Sequence, residues 1–177
     1  MDIHVTAAPG AHLGRLRFGD LDFPCALGRS GIVTAKREGD GGTPAGRFAL
    51  RELRWRADRL APPATALRRR ETAKEDGWCD APSDPAYNRP ITLPYAASTE
   101  TLWREDHLYD IVVPLGYNDD AVVASAGSAI FLHIAKQEGE SFGATEGCVA
   151  LRLADMLVLL ARVTPGTYMA IALASAA

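Results

Sequence analysis

The sequence lacks a long uninterrupted run of hydrophobic residues. No stretch approaches the roughly 20 apolar residues that a membrane-spanning helix requires, so we expect no membrane insertion. The first residues, Met1–Thr6, contain neither the basic nor the apolar segment that a secretory signal sequence carries. By this criterion the chain as written is expected in the cytoplasm.

The chain also has little net charge and few metal-ligating patterns. Its 19 lysines and arginines against 22 aspartates and glutamates leave a formal charge of −3, which argues against a surface for binding nucleic acid. The three cysteines, Cys25, Cys79 and Cys148, form no Cys-x-x-Cys pair, and the four histidines are scattered. We therefore expect no metal site and no cofactor. Because the cysteine count is odd, at least one thiol is free in a monomer.

The composition is that of one ordinary globular domain. The 177 residues are 47% hydrophobic and 23% charged, so they can bury a single core without a disulfide or metal. No repeat or linker divides the chain. We expect a single domain over residues 1–177, while the sequence does not indicate an oligomeric state.

Short strands dominate the predicted secondary structure. Only residues 153–163 have the i, i+3, i+4, i+7 spacing of an amphipathic helix. Six prolines make residues 56–101 a long irregular insertion, which we expect to form a wall of a cleft. Many short strands, one helix and Gly/Pro-rich turns predict a mainly β domain, a β-sandwich or barrel-like fold. The predicted strands are residues 3–7, 13–18, 22–27, 46–55, 108–115, 129–135 and 167–173.

A histidine and a cysteine on neighbouring predicted elements form the candidate catalytic pair. His133 lies near the end of a strand and Cys148 opens the next element. Nucleophilic cysteine chemistry needs a thiolate, and a nearby imidazole supplies it by taking the thiol proton. Gly147 permits a tight turn, and the N–H groups of Gly147 and Cys148 are candidates for stabilising an oxyanion. The alternative is a buried, inert cysteine near a core histidine.

Two segments resemble the L,D-transpeptidase family, the YkuD-type catalytic domain. The family signature is a histidine, a spacer, and then Ser/Thr-His-Gly-Cys. Here His133 and fourteen further residues precede Cys148, which lies in Thr145–Val149 (TEGCV). About eighty-five residues before His133, the segment Asp40–Phe48 (DGGTPAGRF) resembles the D-G-x-T-P-x-G-x-F run of many members. The resemblance covers roughly residues 26–171 and implies a β-sandwich with a short helix after the cysteine.

The chain departs from the family signature at two positions. Glu146 replaces the second histidine, and Ala150 replaces an arginine that often follows, with Arg152 nearby but out of register. Thr145, Glu146 and Arg152 are candidate substrate contacts. Thr145 is also suited to a turn hydrogen bond, and Glu146 to binding an acceptor amine or to a surface position, where its charge would raise the pKa of the thiol. The backbone carbonyl of Ile134 is expected to orient the imidazole.

The resemblance implies a cysteine acyltransferase that acts on peptidoglycan stem peptides or muropeptides. Cys148 would attack the stem peptide, expel a terminal D-alanine and form a thioester, which an amine or water resolves, with His133 moving the protons. We prefer an L,D-transpeptidase. A hydrolase of the same fold, either an L,D-carboxypeptidase or an amidase, is the alternative, and a non-catalytic peptidoglycan-binding relative is a third.

The resemblance conflicts with the start of the chain on location. The family substrate lies outside the inner membrane, which implies the periplasm or cell envelope, whereas the missing signal sequence predicts the cytoplasm. In an oxidising compartment Cys25 and Cys79 are expected to pair, and in a reducing one they stay free. The resemblance also implies that carbapenem β-lactams acylate the cysteine.

Overall fold

The computed structural model describes residues 1–174. It is mainly β, with 38% of the chain in strands and one helix in the described part, which confirms the predicted fold class. The strands are β1 (Ile3–Ala7), β2 (Leu13–Phe18), β3 (Leu21–Ala26), β4 (Ile32–Val33), β5 (Thr43–Pro44), β6 (Gly46–Ala49), β7 (Leu53–Trp55), β8 (Arg69–Glu71), β9 (Asp76–Cys79), β10 (Pro90–Thr92), β11 (Thr99–Thr101), β12 (Ile111–Pro114), β13 (Phe131–Ile134), β14 (Gln137–Glu138), β15 (Ser141–Phe142), β16 (Val149–Leu151) and β17 (Tyr168–Leu173), and the helix is α1 (Leu153–Leu160).

Ten strands form one curled sheet in the order β6-β17-β1-β2-β3-β16-β13-β12-β7-β8. β6 and β7 are two parts of one bent segment, since only three residues separate them. β6 pairs with β17, β7 pairs with β12, and between them Leu50 bridges to Leu115. Because this segment contacts strands from both sides of the sheet, the sheet closes around a single core.

The main core fills the inside of this sheet and includes the helix. Alternate residues of the strands point inward, among them Val5, Leu132 and Val149, all fully buried. α1 contributes its apolar face, with Met156 fully buried. The helix ends earlier than the predicted residue 163 because the next N–H groups, of Arg162 and Val163, both turn back to the carbonyl of Leu159.

A second layer covers the outer face of β12 and β13. It is a three-stranded sheet in the order β10-β9-β11, and it packs through a separate apolar cluster, which we call the outer cluster. This layer lies within the segment predicted to be irregular, so that prediction is wrong in part. Its strands have only three or four residues, and β10 begins with Pro90 at the edge of the sheet, where a missing N–H is tolerated. The buried residues of the outer cluster are Trp78, Leu102, Tyr109, Val112, Ala129, Phe131 and Cys148.

Two further small sheets border the main one. β4 pairs with β5 in parallel, and β14 pairs with β15 as a hairpin. Within residues 1–174, no helix is long and apolar enough to span a membrane.

Candidate active site

The parallel strands β13 and β16 bring the predicted nucleophile and base to one face of the sheet. Their register places Leu132 opposite Val149 and His133 opposite Ala150. Because side chains alternate along a strand, Cys148, two positions before Ala150, lies on the same face as His133. Both side chains line one cavity of about 370 Å³. The structure therefore brings the two predicted catalytic residues together.

His133 is buried, and its backbone neighbour fixes its tautomer. Its Nδ1 lies 2.9 Å from the carbonyl oxygen of Ile134, and since a carbonyl only accepts, Nδ1 carries the proton and Nε2 keeps its lone pair. This contact confirms the expected orientation by the Ile134 carbonyl. The pKa of His133 is lowered from 6.5 to about 4, mainly by burial and in part by the charge of Arg104. The imidazole is therefore neutral at pH 7 and can accept a proton.

Cys148 is also buried, and its thiol is engaged with backbone groups. Its Sγ accepts the N–H of Phe131 and donates to the carbonyl of Ala129, both at 3.3 Å. Burial raises the pKa of Cys148 from 9.0 to about 12, and the negative charge of Glu100 also raises it. Within residues 1–174, Sγ makes no hydrogen bond to His133. The resting state is thus a neutral thiol beside a neutral imidazole, and the thiol has to turn away from Ala129 before it gives up its proton.

Gly147 is required by the backbone, but its N–H is not free. Its φ is +140°, and a Cβ at this position would lie 2.8 Å from the carbonyl oxygen of Gly42, so only glycine fits. Its N–H donates to Oγ1 of Thr145 at 3.2 Å, which corrects the expectation that it stabilises an oxyanion. The N–H of Cys148 has no protein acceptor among the described residues, and it remains the oxyanion candidate.

Both family-like motifs meet at the carbonyl oxygen of Cys148. Thr145 donates its hydroxyl to this oxygen at 2.7 Å, and Thr43 approaches the same oxygen at 3.4 Å. Thr43 also accepts the N–H of Gly28 at 2.8 Å. Thr145 therefore holds the cysteine loop, which is the turn role considered for it from the sequence. Contact between the two motifs gives a physical reason for their joint presence in one chain.

Asp40 organises the first of these motifs. Its carboxylate accepts the N–H groups of Arg37 at 2.7 Å and Gly42 at 2.8 Å. It also pairs with the ammonium group of Lys36 at 2.5 Å. These bonds fix the loop that carries Lys36 and Glu38 into the cavity.

The other two predicted substrate contacts lie apart from each other. Glu146 lines the cavity, is 82% exposed and forms an ion pair with Arg29. Its charge raises the pKa of Cys148, in the predicted direction. Arg152 does not line the cavity, because its guanidinium donates to the carbonyl of Glu140 at 3.2 Å and stacks over Phe142. The structure therefore does not bring Arg152 to the site.

The cavity also has charged and aromatic walls, and Asp80 and Glu100 place the insertion of residues 56–101 in one of them, as the sequence predicts, although the individual side chains were not predicted. The wall beside Asp40 could have been inferred from the first motif, since Lys36 and Glu38 directly precede it. The wall formed by the second layer carries no local signal, because only packing brings it to His133. These additional lining residues include Lys36, Glu38, Asp80, Glu100, Arg104, Tyr109 and Lys136. No cluster of three or more His, Cys, Asp or Glu side chains within residues 1–174 is arranged to hold a metal ion.

The remaining cysteines, Cys25 and Cys79, are both buried and free. Cys25 packs in the main core on β3, whereas Cys79 lies on β9 in the second layer. The disulfide expected for an oxidising compartment is absent, and the two thiols belong to different layers.

The fold and the cavity define a class of structure: a mainly β domain in which a cysteine and a neutral histidine line the same cavity. The profile of the YkuD family, the L,D-transpeptidase catalytic domain, matches residues 15–171. The chain belongs to this family, which confirms the resemblance. The prediction of a single domain over the whole chain stays a prediction.

Comparison with individual proteins adds one structural neighbour. The chain is similar to the crystal structure of Mycobacterium tuberculosis L,D-transpeptidase 1, with 14% identity and a TM-score of 0.37. The match covers 98% of this chain and 62% of that one, so the chain spans less than two thirds of the neighbour's length. A search of curated proteins found no match.

Proposed function

We propose that the protein is an L,D-transpeptidase, a cysteine acyltransferase that acts on peptidoglycan stem peptides. Cys148 is the nucleophile and His133 the acid and base. The observation that carries the proposal is the single cavity in which a protonated thiol lies on the same strand face as a neutral imidazole whose Nδ1 carries the proton. Membership of the family supports the substrate class.

The first half of the reaction forms a thioester. Sγ of Cys148 attacks the peptide carbonyl while Nε2 of His133 takes the thiol proton, so that no free thiolate accumulates. The N–H of Cys148 donates to the developing oxyanion. When the tetrahedral intermediate collapses, the C–N bond breaks and imidazolium gives its proton to the departing D-alanine amine. The enzyme is left acylated with His133 neutral again.

The second half transfers the acyl group to an acceptor. A neutral amine attacks the thioester carbonyl, His133 takes the proton of the amine, and the C–S bond breaks as the thiolate regains a proton from the imidazolium. The cavity suits an acceptor of mixed charge because it presents Lys36, Arg104 and Lys136 beside Glu38 and Glu100. Stem peptides carry both carboxylates and amines. The cellular compartment stays a prediction on which the fold has no bearing.

The test is product analysis with a defined substrate. The protein is incubated with a tetrapeptide muropeptide and a D-amino acid, and the products are separated and weighed by mass spectrometry. A transpeptidase gives exchanged or cross-linked stems, together with an acyl-enzyme on Cys148. Tripeptide as the sole product would replace the proposal with the L,D-carboxypeptidase.

Variants at the two proposed catalytic residues, compared with a variant at another buried cysteine, show whether a loss of activity is specific to the site. Cys148→Ala and His133→Gln are expected to abolish all products, because each removes a reacting group. Cys25→Ala removes a buried thiol on the other side of the sheet, and it should keep activity if it folds. Full activity of Cys148→Ala would overturn the nucleophile assignment.

A further inference from the structure

Tyr109 is in contact with the imidazole of His133. It lies just before β12, is 6% exposed and belongs to the outer cluster. Its ring is edge-on to His133 with centroids 5.1 Å apart at 75°, and edge-on to Phe131 at 5.9 Å. Tyr109 therefore closes the side of His133 that faces the second layer.

Glu100 and Arg104 hold the ring of Tyr109 in place. The hydroxyl of Tyr109 donates to the carboxylate of Glu100 on β11. The guanidinium of Arg104 lies 5.1 Å from the ring centroid, and Asp106 fixes that guanidinium through two hydrogen bonds of 2.9 and 2.6 Å. The ring thus has a polar anchor at its tip and a cation against its face.

This packing restricts the orientation of the His133 ring in a way that the hydrogen bond to the Ile134 carbonyl alone does not. The backbone of Ile134 at Nδ1 and the backbone of Leu108 hold the polar edge of the imidazole, and packing by Tyr109 restricts the remaining tilt of the ring that aims Nε2 at the nucleophile. The same contact displaces water from the imidazole. Burial is the largest cause of the low pKa of His133, and Tyr109 provides part of that burial.

We propose that Tyr109, anchored by Glu100, is a positioning residue that aims His133 and keeps it desolvated as the base. The inference rests on the proposed function of His133. The titratable and charged groups around the two rings are Cys148 just before β16, Glu100 on β11, Arg104 and Asp106 between β11 and β12, and Lys136 after β13.

The first readout follows His133 directly. The imidazole signals of the four histidines are titrated by NMR, with His133→Gln identifying the signal. In wild type the His133 signal is expected to titrate at a pKa of about 4. In Tyr109→Leu we expect its pKa to rise by about one unit because water reaches the ring, and in Tyr109→Phe, which keeps the ring but loses the Glu100 anchor, by less.

The second readout is the rate at which a carbapenem acylates Cys148, measured against pH. In Tyr109→Leu the rate is expected to fall about tenfold through misorientation, and its acid limb is expected to move to higher pH. Tyr95→Leu is the matched control, because Tyr95 also donates to a carboxylate, Asp84 at 2.9 Å, but lies outside the cavity. Both readouts should be unchanged in this control.

The two readouts separate this inference from the proposed function. If Tyr109→Phe and Tyr109→Leu fold with wild-type circular dichroism but leave both the His133 titration and the acid limb unchanged, the inference is wrong. If Tyr109→Leu does not fold, the His133 titration and the acylation rate of Tyr109→Phe decide whether the inference holds. A shifted His133 titration without acylation of any variant, wild type included, would retain the positioning role and reject the proposed function.

Discussion

His133 and Cys148 line one cavity, and neither carries a charge at neutral pH. Burial lowers the pKa of one and raises that of the other. Glu100 and Glu146 add negative charge beside the thiol, which opposes a resting thiolate. The chemistry proposed for this site therefore depends on proton transfer during attack rather than on a preformed ion pair.

The first prediction at the scale of single residues concerns the reactivity of the Cys148 thiol. Alkylation of Cys148 by iodoacetamide should be slow at pH 7 and should rise with an apparent pKa above the ordinary 9.0, because the folded thiol has a pKa of about 12. Glu100→Gln should lower that apparent pKa, because it removes the charge that raises it while keeping an acceptor for Tyr109. Alkylated peptides identified by mass spectrometry give the rate at each pH.

Cys25 and Cys79 serve as internal references in the same experiment. Both are fully buried, so they should react more slowly than Cys148, which borders the cavity. A Cys148 thiol that reacts at neutral pH with a low apparent pKa would contradict the neutral resting pair.

At the scale of the elements, the position of the loop before β16 depends on hydrogen bonds from the loop around β5. Thr43 is fully buried, and its hydroxyl joins the N–H of Gly28 to the carbonyl of Cys148. Asp40 holds the preceding turn by accepting two backbone N–H groups. The position of Cys148, the proposed nucleophile, is therefore set by a loop more than a hundred residues earlier in the chain.

At the scale of the elements, we predict that Thr43→Val lowers both the stability of the fold and the rate of Cys148 acylation. Valine has nearly the same shape but leaves the N–H of Gly28 without its acceptor, so stability should fall by about 1 to 3 kcal/mol. The rate of Cys148 acylation should also fall, because the cysteine loop loses one of its ties. Urea unfolding and a carbapenem acylation assay measure the two effects.

Thr101→Val is the matched control for this variant. Thr101 is exposed on β11, and its replacement should change stability by less than about 0.5 kcal/mol. If Thr43→Val acylates at the wild-type rate, the loop around β5 does not position the nucleophile.

Sequence patterns predicted the strands of the main sheet better than those of the second layer. β1 and β2 match the predicted residues, because one side of each strand faces the core and alternates with an exposed side. β9 is buried on both sides and has four residues, with Gly77 among them. Such a strand has no alternation, and its pairing with β10 and β11 depends on residues that the sequence places far away.

The sequence predicted residues of the candidate site only where they lie in a recognisable motif. His133 and Cys148 stand in a recognisable spacing, and the register of β13 with β16 explains why that spacing brings them together. Glu100 and Tyr109 have no such spacing, since Glu100 lies in the second layer and Tyr109 just before β12, and only packing over the outer face of the sheet brings them to the site. Arg152 was misplaced because proximity in sequence does not decide which way a side chain leaves the start of α1.

At the scale of the whole molecule, the curled sheet separates two apolar environments. The main core lies inside it, and the outer cluster lies between it and the second layer. The proposed catalytic pair, His133 and Cys148, lies on the outer side, where a cavity opens among the covering loops. Burying titratable groups in this interface makes the stability of the entire fold depend on pH.

The last prediction is a loss of stability at mildly acidic pH that comes from His133. Its pKa falls from 6.5 to about 4 on folding. The unfolded chain therefore gains a proton below pH 6.5 that the folded chain does not take. The contribution of His133 to the free energy of unfolding is fully present above pH 6.5. It is lost as the pH falls toward 4, where the loss reaches about 3 kcal/mol. Urea unfolding at a series of pH values measures it.

The variant His133→Gln isolates this contribution from other groups that titrate in the same range. Glutamine does not titrate, whereas the half-buried Glu100, whose pKa burial raises, remains in both proteins. Subtracting the two stability curves thus cancels the carboxylates and leaves the histidine. The difference should be flat above pH 6.5 and should change by about 3 kcal/mol toward pH 4, to the disadvantage of the wild type. Parallel curves across this window would mean that His133 is solvated in solution, which would also remove the neutral base from the proposed mechanism.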